Sequence, residues 1–335
     1  MFIPKRIFFE KKALEYEIGQ RVYDKFKDKD IELIIDNKVH FPSNDNPVEK
    51  YKEGKQTLVV GVKRVSKFET CKPSADYQLP LISGCTGRCE YCYLNTKLGD
   101  KPYTKVFVNV DDILNNAKKY ISKNDNITVF EGAATSDPIP VEPYTNILEK
   151  TINFFAKEKN GLFRFVTKYT DVDTLLNLNH NNHTTIRFSM NTDKIISEYE
   201  HSTPSMSRRI EASQKIMNAG YPSGFIIAPV FLYDGWKKDY SELIDKLSTL
   251  VPKDYKHDIL FEVISHRYTI TAKNIILNIF PNTTLPMNED ERKFKYGQFG
   301  YGKYVYTKEQ LSDMKDFFTQ KISSLFSKEN IVYII

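Results

Sequence analysis

Three of the four cysteines in the chain fall in one short stretch, Ser83-Gly84-Cys85-Thr86-Gly87-Arg88-Cys89-Glu90-Tyr91-Cys92-Tyr93, and the fourth, Cys71, stands apart. The spacing is C-x3-C-x2-C. Three thiolates on one loop can hold three corners of a cubane iron–sulfur cluster, which normally takes four cysteine ligands. A missing fourth ligand leaves one iron open, and an open metal position is where a substrate or cofactor binds. Zinc ribbons and fingers pair a C-x2-C with a second Cys or His pair, and none follows here. A redox C-x-x-C needs only two cysteines. A zinc site and incidental thiols stay as the other readings of these residues.

Such ligands must be held by a scaffold, and the surrounding pattern supplies one. From Tyr77 onward, short apolar runs alternate with helical stretches. Strands are expected at 78–82, 126–131, 163–167, 185–190, 224–230 and 258–263, and helices at 110–122, 141–157, 172–178, 205–218 and 240–250. Strands joined by helical crossovers make parallel βα units, which place functional groups at the C-terminal ends of strands. The cysteine loop, Glu131 to Asp137, Lys168, and Ser189 to Asn191 all fall at such ends. Their recurrence predicts one shared site at a barrel mouth. Upstream, 13–27 reads as a helix and 57–62 as a short strand. The stretch 38–55, with two prolines and an Asn-Asp-Asn run, reads as loop. The basic residues Lys63, Arg64, Lys67 and Lys72 are either a solvated face or phosphate contacts. Beyond about 265 the rhythm breaks. There 289–295 reads as helical, and the glycines interleaved with aromatics across 294–306 read as a hairpin with close backbone approach. A closing helix at 309–326 and a strand at 331–335 follow. The organisation expected is an N-terminal extension (1–75), the barrel (76–265) and a C-terminal region carrying the hairpin (266–335).

Bulk properties narrow the function classes. A net charge of +5 is mildly basic and mostly a solvated face. The 21 tyrosines and 22 phenylalanines are mainly core, with those beside basic residues available to stack on bases. No apolar run approaches the length of a membrane span, about 18 residues or more. The N-terminal residues Met1 to Arg6 lack the small-residue cleavage site of a secretory signal. Four cysteines, three of them clustered, do not make a disulfide framework, so a reducing cytoplasm is expected.

The cysteine spacing resembles that of the radical SAM enzymes. The resemblance implies an α/β fold, a partial (β/α)6 TIM-like barrel. It also implies a [4Fe–4S] cluster on Cys85, Cys89 and Cys92, with S-adenosylmethionine on the open iron, cleaved by the reduced cluster to a 5′-deoxyadenosyl radical. A longer set of segments, in order along the whole chain, is similar to the spore photoproduct lyase family: Lys72-Pro73-Ser74-Ala75, Cys92-Tyr93-Leu94, Phe130-Glu131, Thr135-Ser136-Asp137, Arg164-Phe165-Val166-Thr167-Lys168, Arg209-Ile210-Glu211-Ala212, Ala219-Gly220-Tyr221-Pro222 and Gly302-Lys303-Tyr304. That family reverts the ultraviolet lesion 5-thyminyl-5,6-dihydrothymine to two thymines in the DNA of germinating spores.

The resemblance implies site residues. Ser136, Lys168, Ser189 and Ala228 would contact S-adenosylmethionine. Tyr91 and Tyr93 would belong to a radical relay. Ser74, Arg267, Lys295, Gln298, Phe299 and Lys303 would contact the lesion or its DNA. It also implies damaged double-stranded DNA and an electron donor such as flavodoxin or ferredoxin as partners, a monomer, and a place in the cytoplasm (the spore core in a spore former). Two departures stand out. Ala134 occupies the place of the cysteine that returns a hydrogen atom in the family, and a methyl group cannot do so. Gln298 and Phe299 stand where the family often has Arg-Tyr, which goes with natural divergence rather than an engineered change. Cys71, where relatives commonly have a small hydroxyl residue, and the two tyrosines are the substitute donors on offer. The rival readings are a relative acting on another substrate and a damage-binding protein with a structural cluster.

Overall fold

The computed structural model describes residues 1–40, 46–65, 67–99, 102–296 and 302–335. The chain starts with a small parallel sheet built from β1 (Arg6–Phe9), β2 (Glu32–Ile35) and β3 (Thr57–Gly61). The helix α1 (Glu17–Phe26) covers it, with Ile18, Val22 and Phe26 at four-residue spacing on the buried face. The helix α2 (Pro47–Lys55) forms where loop was expected. The Asn and Pro that suggested a loop instead start this helix: the Asn46 side chain accepts from the Val48 N–H at 2.9 Å, and Pro47 sits at the first turn, where its missing N–H costs nothing.

β4 (Thr70–Cys71) and β5 (Ala75–Gln78) begin the main sheet, then β6 (Ile82–Ser83) and β7 (Arg88–Cys89) carry the chain through the cysteine loop. The strand expected at 78–82 is therefore split, with Leu79–Leu81 between β5 and β6 and Pro80 unable to donate to a ladder. A short helix α3 (Leu94–Lys97) follows, and β8 (Thr104–Phe107) joins the small sheet, giving the order β2-β1-β3-β8-β6. The helices α4 (Val110–Ile121), α5 (Glu142–Thr145), α6 (Ile147–Phe155), α7 (Asp193–Tyr199), α8 (Met206–Asn218), α9 (Trp236–Leu250), α10 (Ile270–Ile279) and α11 (Lys308–Leu325) are interleaved with β9 (Thr128–Glu131), β10 (Gly161–Thr167), β11 (Thr184–Met190), β12 (Glu200–His201), β13 (Ser223–Val230), β14 (Leu260–Ser265), β15 (Lys293–Tyr296), β16 (Gly302–Val305) and β17 (Ile331–Ile334).

The main sheet runs β17-β14-β13-β11-β10-β9-β5-β4. Every pairing is parallel except β4, which is antiparallel to β5. This is the partial barrel, with β17 as a further parallel strand beyond the expected six. Phe130, Phe163, Phe165, Ile186, Phe188, Phe225 and Phe261 point from its strands into one core with the helices. Three helix expectations change. The span 141–157 breaks at Asn146, which takes a left-handed conformation with φ 53°. The span 172–178 holds only a 3-10 turn, Asp173–Leu175. The span 289–295 runs into strand β15, while α10, capped by Thr269, forms instead upstream. The hairpin itself is present: Lys295 faces Lys303 across β15 and β16. At Gly302 the Phe294 ring packs over the backbone, where a Cβ would stand 1.9 Å from it and the ring would have to swing aside. Gln298 and Phe299 lie outside the described residues. Among the described residues no helix is long and apolar enough to cross a membrane.

Candidate active site at the barrel mouth

The C-terminal strand ends surround a cavity of about 510 Å³. It gathers Cys85, Cys89, Cys92, Ser136, Lys168, Ser189, Cys71, Ser74, Tyr91, Tyr93 and Arg267 from six segments of sequence, with Ala134 in its wall. Ala228 lies within β13 but outside the lining, and Lys295 and Lys303 sit beyond it on the hairpin.

The cysteine loop is clamped from several sides. Gly84 starts it in the left-handed region, φ 84°, and its N–H bonds the Thr135 carbonyl at 2.9 Å. A Cβ there would meet the Tyr103 carbonyl oxygen at 2.3 Å, so only glycine fits. Lys55 of α2 donates to the Cys85 carbonyl at 2.8 Å. Asn95 donates to the carbonyls of Cys89 and Glu90 and accepts from the Tyr51 hydroxyl at 3.0 Å. Cys89 pairs with Glu200 across β7 and β12. The Gly87 N–H already points at the Cys85 sulfur, 3.3 Å away. Burial pushes the Cys85 and Cys89 thiols up to about 12, so as bare side chains they are neutral. Thiolates here need a strong cationic partner. Among the described residues no three His, Cys, Asp or Glu side chains converge on a single metal ion.

Beside the loop is a buried charge network that the sequence reading missed. The Lys168 ammonium lies 2.7 Å from Glu200 and 2.6 Å from the Tyr91 hydroxyl, and Tyr91 donates to the same carboxylate. Arg209 closes it, 2.6 Å from Glu200 and 3.1 Å from the Ser189 carbonyl. Burial would raise the Glu200 carboxyl, but Lys168 and Arg209 overcome it and hold it down to about 2. Asp137 fixes the end of β10 by accepting from the Thr167 hydroxyl at 2.7 Å and the Lys168 N–H at 2.9 Å, while burial lifts its carboxyl to about 6.

The cavity floor holds a second network. Arg187 bridges Glu131 and Glu262, Arg164 also reaches Glu262, and Tyr333 donates to Glu262 at 2.8 Å. Ser74 sits inside it, donating to Glu131 at 3.0 Å and accepting from Arg187 at 3.2 Å. The signal was available: these four charges sit in strands that are otherwise apolar, and a charge there must be paired. The remaining wall is sparse. Tyr93, 55% exposed, donates to the Ala134 carbonyl, and Cys71 pairs only through backbone with Ala75.

Cations occupy both lips. Burial lowers the Lys303 ammonium, helped by the like charges of Arg267 and Lys295. Among the described residues none of the three has a carboxylate partner. At the opposite, β5 end of the sheet, Lys63, Arg64, Lys67 and Lys97 line a groove of about 210 Å³ that shares Gln78 with the mouth.

Comparison with known proteins follows from this geometry. The family model described as "Spore photoproduct lyase" matches residues 2–335. The spore photoproduct lyase of Clostridium acetobutylicum is 53% identical over 99% of this chain and 98% of its own length. That of Bacillus subtilis is 40% identical with the same coverage. A solved spore photoproduct lyase carries alanine for a cysteine and cysteine for a serine, and holds S-adenosylmethionine and dinucleoside spore photoproduct. It superposes with a TM-score of 0.95 at 41% identity, covering 100% of this chain and 99% of its own. Another, complexed with dinucleoside spore photoproduct, also gives 0.95, at 40% identity and the same coverage.

Proposed function

The chain belongs to the spore photoproduct lyase family, and from that premise we propose that it reverts the spore photoproduct in ultraviolet-damaged DNA to two thymines, with Cys71 as the residue that returns the hydrogen atom. The observation that carries the reading is the single cavity joining the cysteine loop, Lys168 with its strand-end serines, and Cys71. When bound on Cys85, Cys89 and Cys92, the [4Fe–4S] cluster with S-adenosylmethionine supplies a carbon-centred radical able to take a hydrogen atom from the lesion.

The residues of the chain do the rest. Lys168 presents a fixed cation toward the mouth for a carboxylate, with Ser136 and Ser189 beside it as hydroxyl partners. Tyr91 is spent on Glu200 and Lys168, so it orients that cation as well as lying next to a cluster ligand. Ser74 and the floor network present donors and acceptors to the polar edges of the bases. Arg267 at the cavity rim and Lys295 and Lys303 beyond it hold phosphate, which positions the strand without reading its sequence. The lesion must leave the base stack to enter, and a damaged pair costs less to extrude.

The product radical needs a hydrogen atom back. Ala134 has none to give. Cys71 lines the same cavity, and burial with the nearby Glu131 charge pushes its thiol up to about 11, so it keeps its S–H at neutral pH. Tyr93 stands at Ala134, with a phenol to reload the thiyl radical. A solved spore photoproduct lyase variant combines alanine for a cysteine with cysteine for a serine and holds both S-adenosylmethionine and the dinucleoside spore photoproduct. The test is anaerobic: cluster-loaded protein, S-adenosylmethionine, reductant and a lesion dinucleotide in deuterated water, followed by mass spectrometry. Clean thymine product carrying deuterium is expected. Unrepaired lesion despite formation of 5′-deoxyadenosine would overturn the reading.

A further inference from the structure

The cysteine loop divides two cavities. Cys85, Gly87 and Cys89 line the barrel mouth, whereas the residues between them, Thr86 and Arg88, line a second cavity of about 340 Å³. The wall between the two is thus a single chain thick where the cysteines sit. The outer cavity is built by Lys52 and Lys55 of α2 together with Arg88, Tyr169 and Ile3. Three cationic side chains and no carboxylate line it. Lys52 reaches Glu49 on the outer surface at 2.8 Å. Lys55 spends its ammonium on the Cys85 carbonyl, and Arg88 reaches only the Ser202 hydroxyl at 3.1 Å. Among the described residues no carboxylate pairs with either. Ile3, 63% exposed, adds apolar surface beside these charges.

We propose that this outer face docks a small acidic one-electron carrier protein, which reduces the cluster from the side opposite S-adenosylmethionine and DNA. The inference rests on the lyase reading, in which forming the radical consumes an electron, and the outer cavity gives a second approach to the cysteine loop. The step balances simply: the carrier is oxidised by one electron, the cluster is reduced by one, and no proton moves and no bond forms at the docking face. Two short connections lead inward, from Lys55 to the Cys85 carbonyl and from Tyr51 through Asn95 to Cys89. The three cationic side chains of the lining attract an acidic surface at long range. Charge flanked by exposed apolar side chains suits a protein better than a small anion.

The probe is a purified bacterial flavodoxin, titrated against the cluster-loaded protein. Lys52→Glu and Arg88→Glu are each expected to weaken its binding about tenfold at low ionic strength, the gap closing as salt screens the contact. Carbodiimide crosslinks from flavodoxin carboxylates are expected on Lys52. With dithionite, a reductant that needs no docking, Lys52→Glu should form 5′-deoxyadenosine at the wild-type rate, while flavodoxin-driven formation falls. Unchanged flavodoxin binding in both variants, crosslinks on Lys295 and Lys303 instead, or inorganic phosphate bound in the cavity with no competition against flavodoxin would each overturn the proposal. Wild-type protein inactive with dithionite would fail the lyase reading alone, and the flavodoxin titration still decides the docking face.

Discussion

The two walls of the barrel mouth are built on opposite terms. On one, Lys168, Glu200, Arg209 and Tyr91 are locked together by charge-assisted hydrogen bonds around a buried carboxylate. On the other, Cys71, Tyr93 and Ala134 carry no charge, and a single hydrogen bond from Tyr93 to a backbone carbonyl joins two of them. The first wall faces the cluster ligands, where a cofactor must be held in one orientation. On the proposed function, the second faces the place where a hydrogen atom is returned, and that needs only a weak X–H bond within reach. Strict geometry explains why the first wall is saturated. The looser demand of the proposed step fits a thiol on β4 with an alanine at the end of β9.

The contrast can be broken from its strongest point downward. Cys89→Ala should abolish cluster assembly and bring lesion turnover to background, read by iron and sulfide content and by product analysis. Glu200→Gln removes the carboxylate that pairs with both Lys168 and Arg209, and should cost about 3–5 kcal/mol of folding stability in a denaturant titration. Cys71→Ser should leave stability nearly untouched yet shift the partition from clean thymine to trapped by-products about tenfold, or roughly 1.4 kcal/mol. Adding Ala134→Cys to that variant should restore clean repair, and a double variant that stays defective would refute interchangeable donors. Cys71 should also be slow toward alkylating agents. Its raised pKa, about 11, keeps the thiol protonated until the pH climbs toward that value. At pH 8 labelling of its peptide should run about a hundredfold slower than for an ordinary thiol, and hydrogen return should be flat from pH 6 to 9. The smallest effect is at the far lip: Lys63→Glu should reduce the salt dependence of duplex binding by about one phosphate contact and leave dinucleotide turnover unchanged.

Much of this was legible in the sequence because it is local. The strands β9, β10, β11, β13 and β14 announce themselves as short apolar runs, and the structure places each within a few residues of expectation. The cysteine spacing and the strand-end Lys168 belong to the same class of signal. What escaped is either capped or long-range. The helix α2 hid behind the Asn and Pro that start it. Glu200 sits in a run, Ser197-Glu198-Tyr199-Glu200-His201, that reads as surface, and only folding brings Lys168 and Arg209 to it. Nothing near Glu200 in sequence distinguishes it from Glu198, which stays outside in an exposed pair with Lys194. Arg187 and Glu262 were easier, each being a charge inside an apolar strand, but their partners could not be named without the sheet order.

The floor of the cavity has one more consequence. Two arginines and two glutamates alternate there around Ser74, so their monopoles cancel and only short-range multipoles remain. A potential of that kind dies away within a few ångströms instead of reaching out of the mouth. It draws in neither cations nor phosphates, and the net positive field is left to the rim at Arg267 and Lys303. On the proposed function, such a site would sort a nucleotide by its own polarity, with the uncharged pyrimidines at depth and the anionic backbone at the entrance.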